Sequence, residues 1–166
     1  MPRFEHVRHK EPSELVQPRE LVVILAPMRS SVNLSRIVRL CGCAGIREVI
    51  QCGPGKIDRE IARDAIDFVK VTQRRSLLPV LENLKKESLP LVGLEQTTHS
   101  QSLFDYAYPR RVGIVIGSER EGLSQDELNL LDAVIEIPVY GMPFSYNVAT
   151  ATTMAVYEYC KQYPSG

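Results

Sequence analysis

Short β-branched apolar runs alternate with longer amphipathic segments along nearly the whole chain, and this alternation limits the fold more than any other feature. LVVILAP, Leu21 to Pro27, is an unbroken apolar run closed by a proline, which suits a strand buried on both faces. From Asn33 onward, NLSRIVRLCGCAG reads as a helix that Asn33 or Ser31 can cap and Gly45 can end. Further strands are predicted at Ile46–Ile50, Phe68–Thr72, Leu89–Leu94, Arg111–Ile116 and Ala133–Val139. Helices are predicted near Asp58–Asp64, Ser76–Glu87, Ser124–Leu131, where Glu127 completes a capping box with Ser124, and Ser145–Lys161. Parallel strands need such helical crossovers, so the expected fold class is α/β, a parallel sheet covered by helices on both faces.

A chain of 166 residues can bury one good core, so a single domain is expected. Residues 1–18 are polar and proline-containing without a clean period, and read as an arm ahead of a domain spanning 19–166. The N-terminal segment lacks the apolar stretch of a secretory signal, and no run is long enough to span a bilayer, so a cytoplasmic protein without membrane attachment is expected. Lys plus Arg and Asp plus Glu both number 20, so net charge gives no attraction for nucleic acid. Any RNA contact must come from a local patch, for which Arg29, Arg36, Arg74, Arg75, Arg110, Arg111 and Arg120 are the candidates. Cys41, Cys43, Cys52 and Cys160 have no C-x-x-C spacing and no histidine nearby in sequence, so no metal site is expected, and Cys41 and Cys43, two apart on a helix and hence on different faces, are expected to pack.

In a parallel sheet ligands bind just beyond the carboxyl ends of the strands, and three segments stand there. In the first, Arg36 and Arg39 share one helix face while Ile37, Val38, Cys41 and Ala44 supply an apolar one. In the second, VGIVIGSEREGLS, Gly117 directly follows a buried strand and Gly122 opens the next turn, which permits close backbone approach. It is not a dinucleotide fingerprint, since the middle glycine is missing, nor a P-loop, since no Lys-Ser or Lys-Thr follows Gly122. In the third, IPVYGMPFSYNVATA, two prolines and a glycine fix an irregular loop before a helix rich in small residues.

Together, NLSRIVRLCGCAG, IGSEREGLS and IPVYGMPFSYNVATA resemble, in order, the three signature motifs of the SpoU-type (TrmH-like) RNA methyltransferases of the SPOUT superfamily. The resemblance covers Leu21 to Lys161. It implies a C-terminal segment threaded into a deep trefoil knot, an exception to the rule that chains avoid knots. It also implies S-adenosyl-L-methionine as cofactor, S-adenosyl-L-homocysteine as product, a homodimer, and an RNA substrate methylated on a ribose 2′-hydroxyl, with tRNA expected before rRNA. On this resemblance Arg39 and Asn33 match the catalytic arginine and asparagine of the first motif. Glu119 matches the acidic residue of the second, and Ser145 and Asn147 the serine and asparagine of the third. Leu94, Glu95, Gly117, Ile137 and Tyr146 are the similar cofactor positions. Two residues depart from the pattern: Ser35 replaces a glycine, which is expected to tighten the space for RNA backbone, and Tyr146 replaces a leucine beside the cofactor.

Arg39 is expected to stabilise negative charge on the ribose oxygen, and Glu119 to orient that arginine or its own loop. Taken singly, each residue has a plainer reading: a solvated helix face for Arg36 and Arg39, a surface ion pair for Glu119, helix capping for Ser145 and Asn147. Tyr140, Phe144, Tyr157 and Tyr159 suit a core or an interface better than base stacking, and His99 suits a loop. A non-catalytic RNA- or partner-binding protein of the same fold is the alternative, distinguished by absence of cofactor binding.

Overall fold

The structure is a computed structural model describing residues 1–166. Seven strands form one parallel sheet in the order β3-β2-β1-β6-β4-β7-β5. In chain order they are β1 (Leu21–Leu25), β2 (Glu48–Cys52), β3 (Lys70–Arg74), β4 (Leu91–Leu94), β5 (Gln101–Ser102), β6 (Val112–Ile116) and β7 (Ala133–Glu136). The helices are α1 (Ser31–Cys43), α2 (Arg59–Ala62), α3 (Ala65–Phe68), α4 (Leu77–Lys86), α5 (Gln125–Leu128) and α6 (Val148–Gln162).

Period-two alternation along β1 explains the two cores. Leu21, Val23 and Leu25 enter the larger cluster with α1 and α6, whereas Ile24 and Ala26 enter the smaller one with α4 and Leu123. The β5–β6 connection crosses the α1–α6 face, where Leu103 and Tyr108 join the larger core. Tyr108 Oη donates to Ala155 O at 3.3 Å and Tyr159 Oη to Arg110 O at 2.6 Å, fastening that connection to α6. The β6–β7 connection crosses the other face, with α5 packed on α4, and the chain then returns from β7 to place α6 against α1. This is the knotted α/β fold that the motifs imply.

Local chemistry moved several boundaries. The cap of α1 is Ser30, whose side chain accepts from Asn33 N, so neither Asn33 nor Ser31 caps it; Gly45, at φ +70°, ends the turn as expected. The last helix starts at Val148 and not at Ser145, because Asn147 Oδ1 accepts from Ala149 N and Thr150 N. The Ser124–Glu127 capping box is present, but α5 ends at Leu128. The two-residue β5 and the single turn of α3 are too short to leave a period in the sequence.

Residues 1–20 form no helix or strand. Arg19 Nε donates to Ala44 O at 2.8 Å and its Nη1 to Tyr163 O, while Val16 N donates to Ser165 O at 2.9 Å. The end of this segment therefore ties the close of α1 to the C-terminus. No helix is long and apolar enough to cross a membrane.

Candidate active site

Parallel pairing brings the carboxyl ends of β1, β6, β4 and β7 side by side: Leu25 is registered with Ile116, Ile116 with Leu94, and Leu94 with Ile135. A cavity of about 760 Å³ opens beyond these ends, within the size range of small-molecule sites. Leu94, Glu95, Gly117, Ile137 and Tyr146, the five positions expected to face a cofactor, all line it. So do Asn33, Glu119, Ser145 and Asn147.

Three of these side chains join the three motifs directly. Glu119 Oε2 accepts from Arg29 N and its Oε1 from Ser30 N, both at 3.0 Å, and Oε1 also accepts from Asn33 Nδ2 at 3.4 Å. Asn33 Oδ1 in turn accepts from Asn147 Nδ2 at 3.2 Å. Partial burial raises the Glu119 carboxyl, but the backbone N–H groups of Arg29 and Ser30 and the Asn33 amide outweigh it and hold the group below the usual glutamate range. A carboxylate so occupied is a poor proton acceptor and a good anchor: it pins the second-motif loop to the start of α1. Because its folded pKa is depressed, its contribution to stability is complete above the ordinary glutamate range and is lost as pH falls through the folded value. Glu119→Gln should therefore lower the melting temperature at neutral pH, and the gap from wild type should close as the pH of the melts is taken downward.

Arg39 stands apart. It is exposed on α1, its side chain makes no hydrogen bond or ion pair, and it does not line the cavity of its own chain. Within one chain Glu119 makes no contact with it; the hydrogen bonds of the carboxylate go to its loop's neighbours Arg29, Ser30 and Asn33.

Ser35 does not narrow a surface groove. It is fully buried, its Oγ donating to Ser31 O at 2.6 Å and accepting from Asp58 N at 2.7 Å, which fastens the approach to α2 onto α1. Ser35→Ala should cost about 1 kcal/mol of stability in urea unfolding.

The arginine patch divides. Arg29, Arg75 and Arg120 follow β1, β3 and β6, and Arg74 ends β3, all at the cavity end of the sheet. Arg110 and Arg111 precede β6 and lie at the opposite end, where Arg110 pairs with Glu20 at 2.6 Å. Strand direction separates them from the others within one chain. Of the four cysteines, Cys41 and Cys52 are buried, with burial first among the causes pushing their thiols up to about 12 and about 11, whereas Cys43 is exposed and not packed as expected. Tyr159 is a core residue, but Tyr140, Phe144 and Tyr157 are exposed. Gln96 and Glu136 also line the cavity; no periodicity marks them, and only the folded topology brings them there.

With this geometry in view, the comparisons with known proteins are decisive at the family level. The model of the SpoU rRNA Methylase family matches residues 20–157. The chain belongs to this family. A solved structure of the Aquifex aeolicus TrmH/SpoU tRNA modifying enzyme superposes on this SpoU family member with a TM-score of 0.83 and 25% identity, covering 90% of this chain and 78% of that one. The Escherichia coli tRNA (guanosine(18)-2′-O)-methyltransferase is 28% identical over 146 residues, 86% of this chain and 64% of its own. The mouse tRNA (guanosine(18)-2′-O)-methyltransferase TARBP1 is 27% identical over 148 residues, 86% of this chain. This SpoU family member thus spans just under two thirds of the bacterial relative and 9% of the mouse one.

Proposed function

We propose that this protein transfers a methyl group from S-adenosyl-L-methionine to a ribose 2′-hydroxyl of a structured RNA, with tRNA as the first substrate class. The Glu119–Asn33–Asn147 network carries the reading, since it assembles all three motifs at the rim of one cavity. The residues present suit the cofactor. Glu95, Glu119, Glu121 and Glu136 line a site that would receive a cationic sulfonium, and the loop from Ile137 leaves most of its backbone groups free to meet a nucleoside. When bound, S-adenosyl-L-methionine supplies an already activated methyl group, so no metal is invoked.

The chain's own groups must align the ribose oxygen and favour loss of its proton. Arg39 is the catalytic residue of this reading. A guanidinium is a fixed cation with five N–H donors and no acceptor, so it stabilises the developing oxyanion and does not serve as the base. Glu119, Asn33 and Asn147 hold the loops around the cavity, and Ser145 contributes from the third motif. Arg29, Arg74, Arg75 and Arg120 supply phosphate contacts on the same edge of the sheet.

A twofold dimer brings Arg39 to a partner's cavity. In support, the large apolar side chains Tyr140, Met142, Phe144 and Tyr157 are left exposed on the third-motif loop and α6, as surfaces that meet a partner are. Residues 1–18 form an arm and 19–166 the methyltransferase domain. Four free thiols and no disulfide accord with work in the cytoplasm. Incubating the protein with methyl-labelled cofactor and separate tRNA and rRNA pools, followed by nuclease mapping, tests the reading. Label on a 2′-O-methylated tRNA nucleotide is the expected result, label confined to rRNA changes the substrate, and label on neither with no cofactor binding by calorimetry rejects catalysis.

A further inference from the structure

We propose that Gln96 is a positioning residue of the cofactor cavity, its side-chain amide holding the third-motif loop in place through the carbonyl of Phe144. The inference rests on the cofactor reading above. Between Ile137 and Tyr146 the chain leaves β7 and crosses the open end of the sheet with residues Tyr140 to Tyr146 all exposed. A side chain added at Gly141 would meet nothing within 4 Å, so neighbouring atoms do not wedge the loop there. One hydrogen bond joins this stretch to the rest of the protein: Gln96 Nε2 donates to Phe144 O at 3.1 Å. Phe144 immediately precedes Ser145 and Tyr146, which line the cavity, so the bond sets where that wall stands.

The anchor is itself well fixed. Glu95 N donates to Ile135 O at 3.0 Å, joining β4 to β7. The Glu95 carboxylate accepts from Gln96 N at 3.0 Å and, across the cavity, from Leu123 N at 3.1 Å. Ser100 Oγ donates to Glu136 Oε2 at 2.7 Å, closing the segment onto the end of β7. Glu95 thus grips the second-motif loop while Gln96 grips the third. A firm strand end reaching out to an otherwise untethered loop is a means of preforming a site, and preformation lowers the ordering cost of binding.

The test is Gln96→Met in the full chain, a side chain of similar length that cannot donate. Calorimetric titration with S-adenosyl-L-homocysteine should show Kd rising roughly three- to tenfold, the worth of one neutral hydrogen bond. Amide exchange between Gly141 and Tyr146 should quicken, while melting temperature and sedimentation stay near wild type. Wild-type affinity and exchange in the variant would overturn the inference. So would weakened binding accompanied by a lowered melting temperature or loss of a dimer, since either makes the role a general structural one. Failure of the wild-type protein to bind the ligand would instead reject the cofactor reading on which the inference rests.

Discussion

Arg39→Ala is expected to lower methylation by about a hundredfold or more, the usual loss when a donor to a developing oxyanion is removed, with cofactor affinity unchanged. The separation of effects follows from position: Arg39 lies on the exposed face of α1 and outside the cavity of its own chain, so its loss leaves the residues lining that cavity in place. The same position makes the stronger claim that the arginine acts across a dimer. Arg39→Ala chains can be mixed, after dissociation and reassembly, with chains carrying an intact Arg39 and a defective cavity. Equal mixing gives heterodimers in half the molecules, each with one complete site of two, so about a quarter of wild-type activity should return. A mixture as inactive as its two components would place Arg39 in the site of its own chain and require α1 to shift when RNA binds.

What could be read from the sequence was what is local. Leu21 to Leu25 is uniformly apolar because both of its faces are covered, and the Ser124–Glu127 box announces its helix three residues in advance. The start of α6 was misplaced because Ser145 and Asn147 are both good capping residues, and only the folded backbone shows that Asn147 takes the role. The site network is a different matter. Glu119 is 86 residues from Asn33, and Asn147 is 114 from it, so no period or spacing could join them. Resemblance to the three motifs named those residues, and strand order then explained why they meet. It equally removed Arg110 and Arg111 from the cavity edge, because in a parallel sheet residues that precede a strand lie opposite residues that follow one.

Gly117→Ala should abolish measurable cofactor binding and cost about 1–3 kcal/mol of stability, as overpacking does where the surroundings cannot yield. An added Cβ would lie 2.6 Å from Gly122 C, 2.7 Å from its Cα and 2.9 Å from Leu123 N. All three are backbone atoms, so no side chain can swing aside. Nor can the opposing turn simply retreat: Gly122 has φ +63°, and the Glu95 carboxylate, bound to Leu123 N, packs against the position its own Cβ would occupy. The paired bonds Ser118 N to Gly122 O at 3.3 Å and Gly122 N to Ser118 O at 3.1 Å must therefore open. Glu119 sits inside that turn, and moving it withdraws its carboxylate from Arg29 N, Ser30 N and Asn33, so damage at one methyl group reaches all three motifs. Gly141→Ala is the control, since a Cβ there meets nothing within 4 Å and should leave both melting temperature and calorimetric affinity unaltered. If Gly117→Ala bound S-adenosyl-L-homocysteine as the wild type does, the close approach of these two glycines would not be what shapes the cofactor cavity.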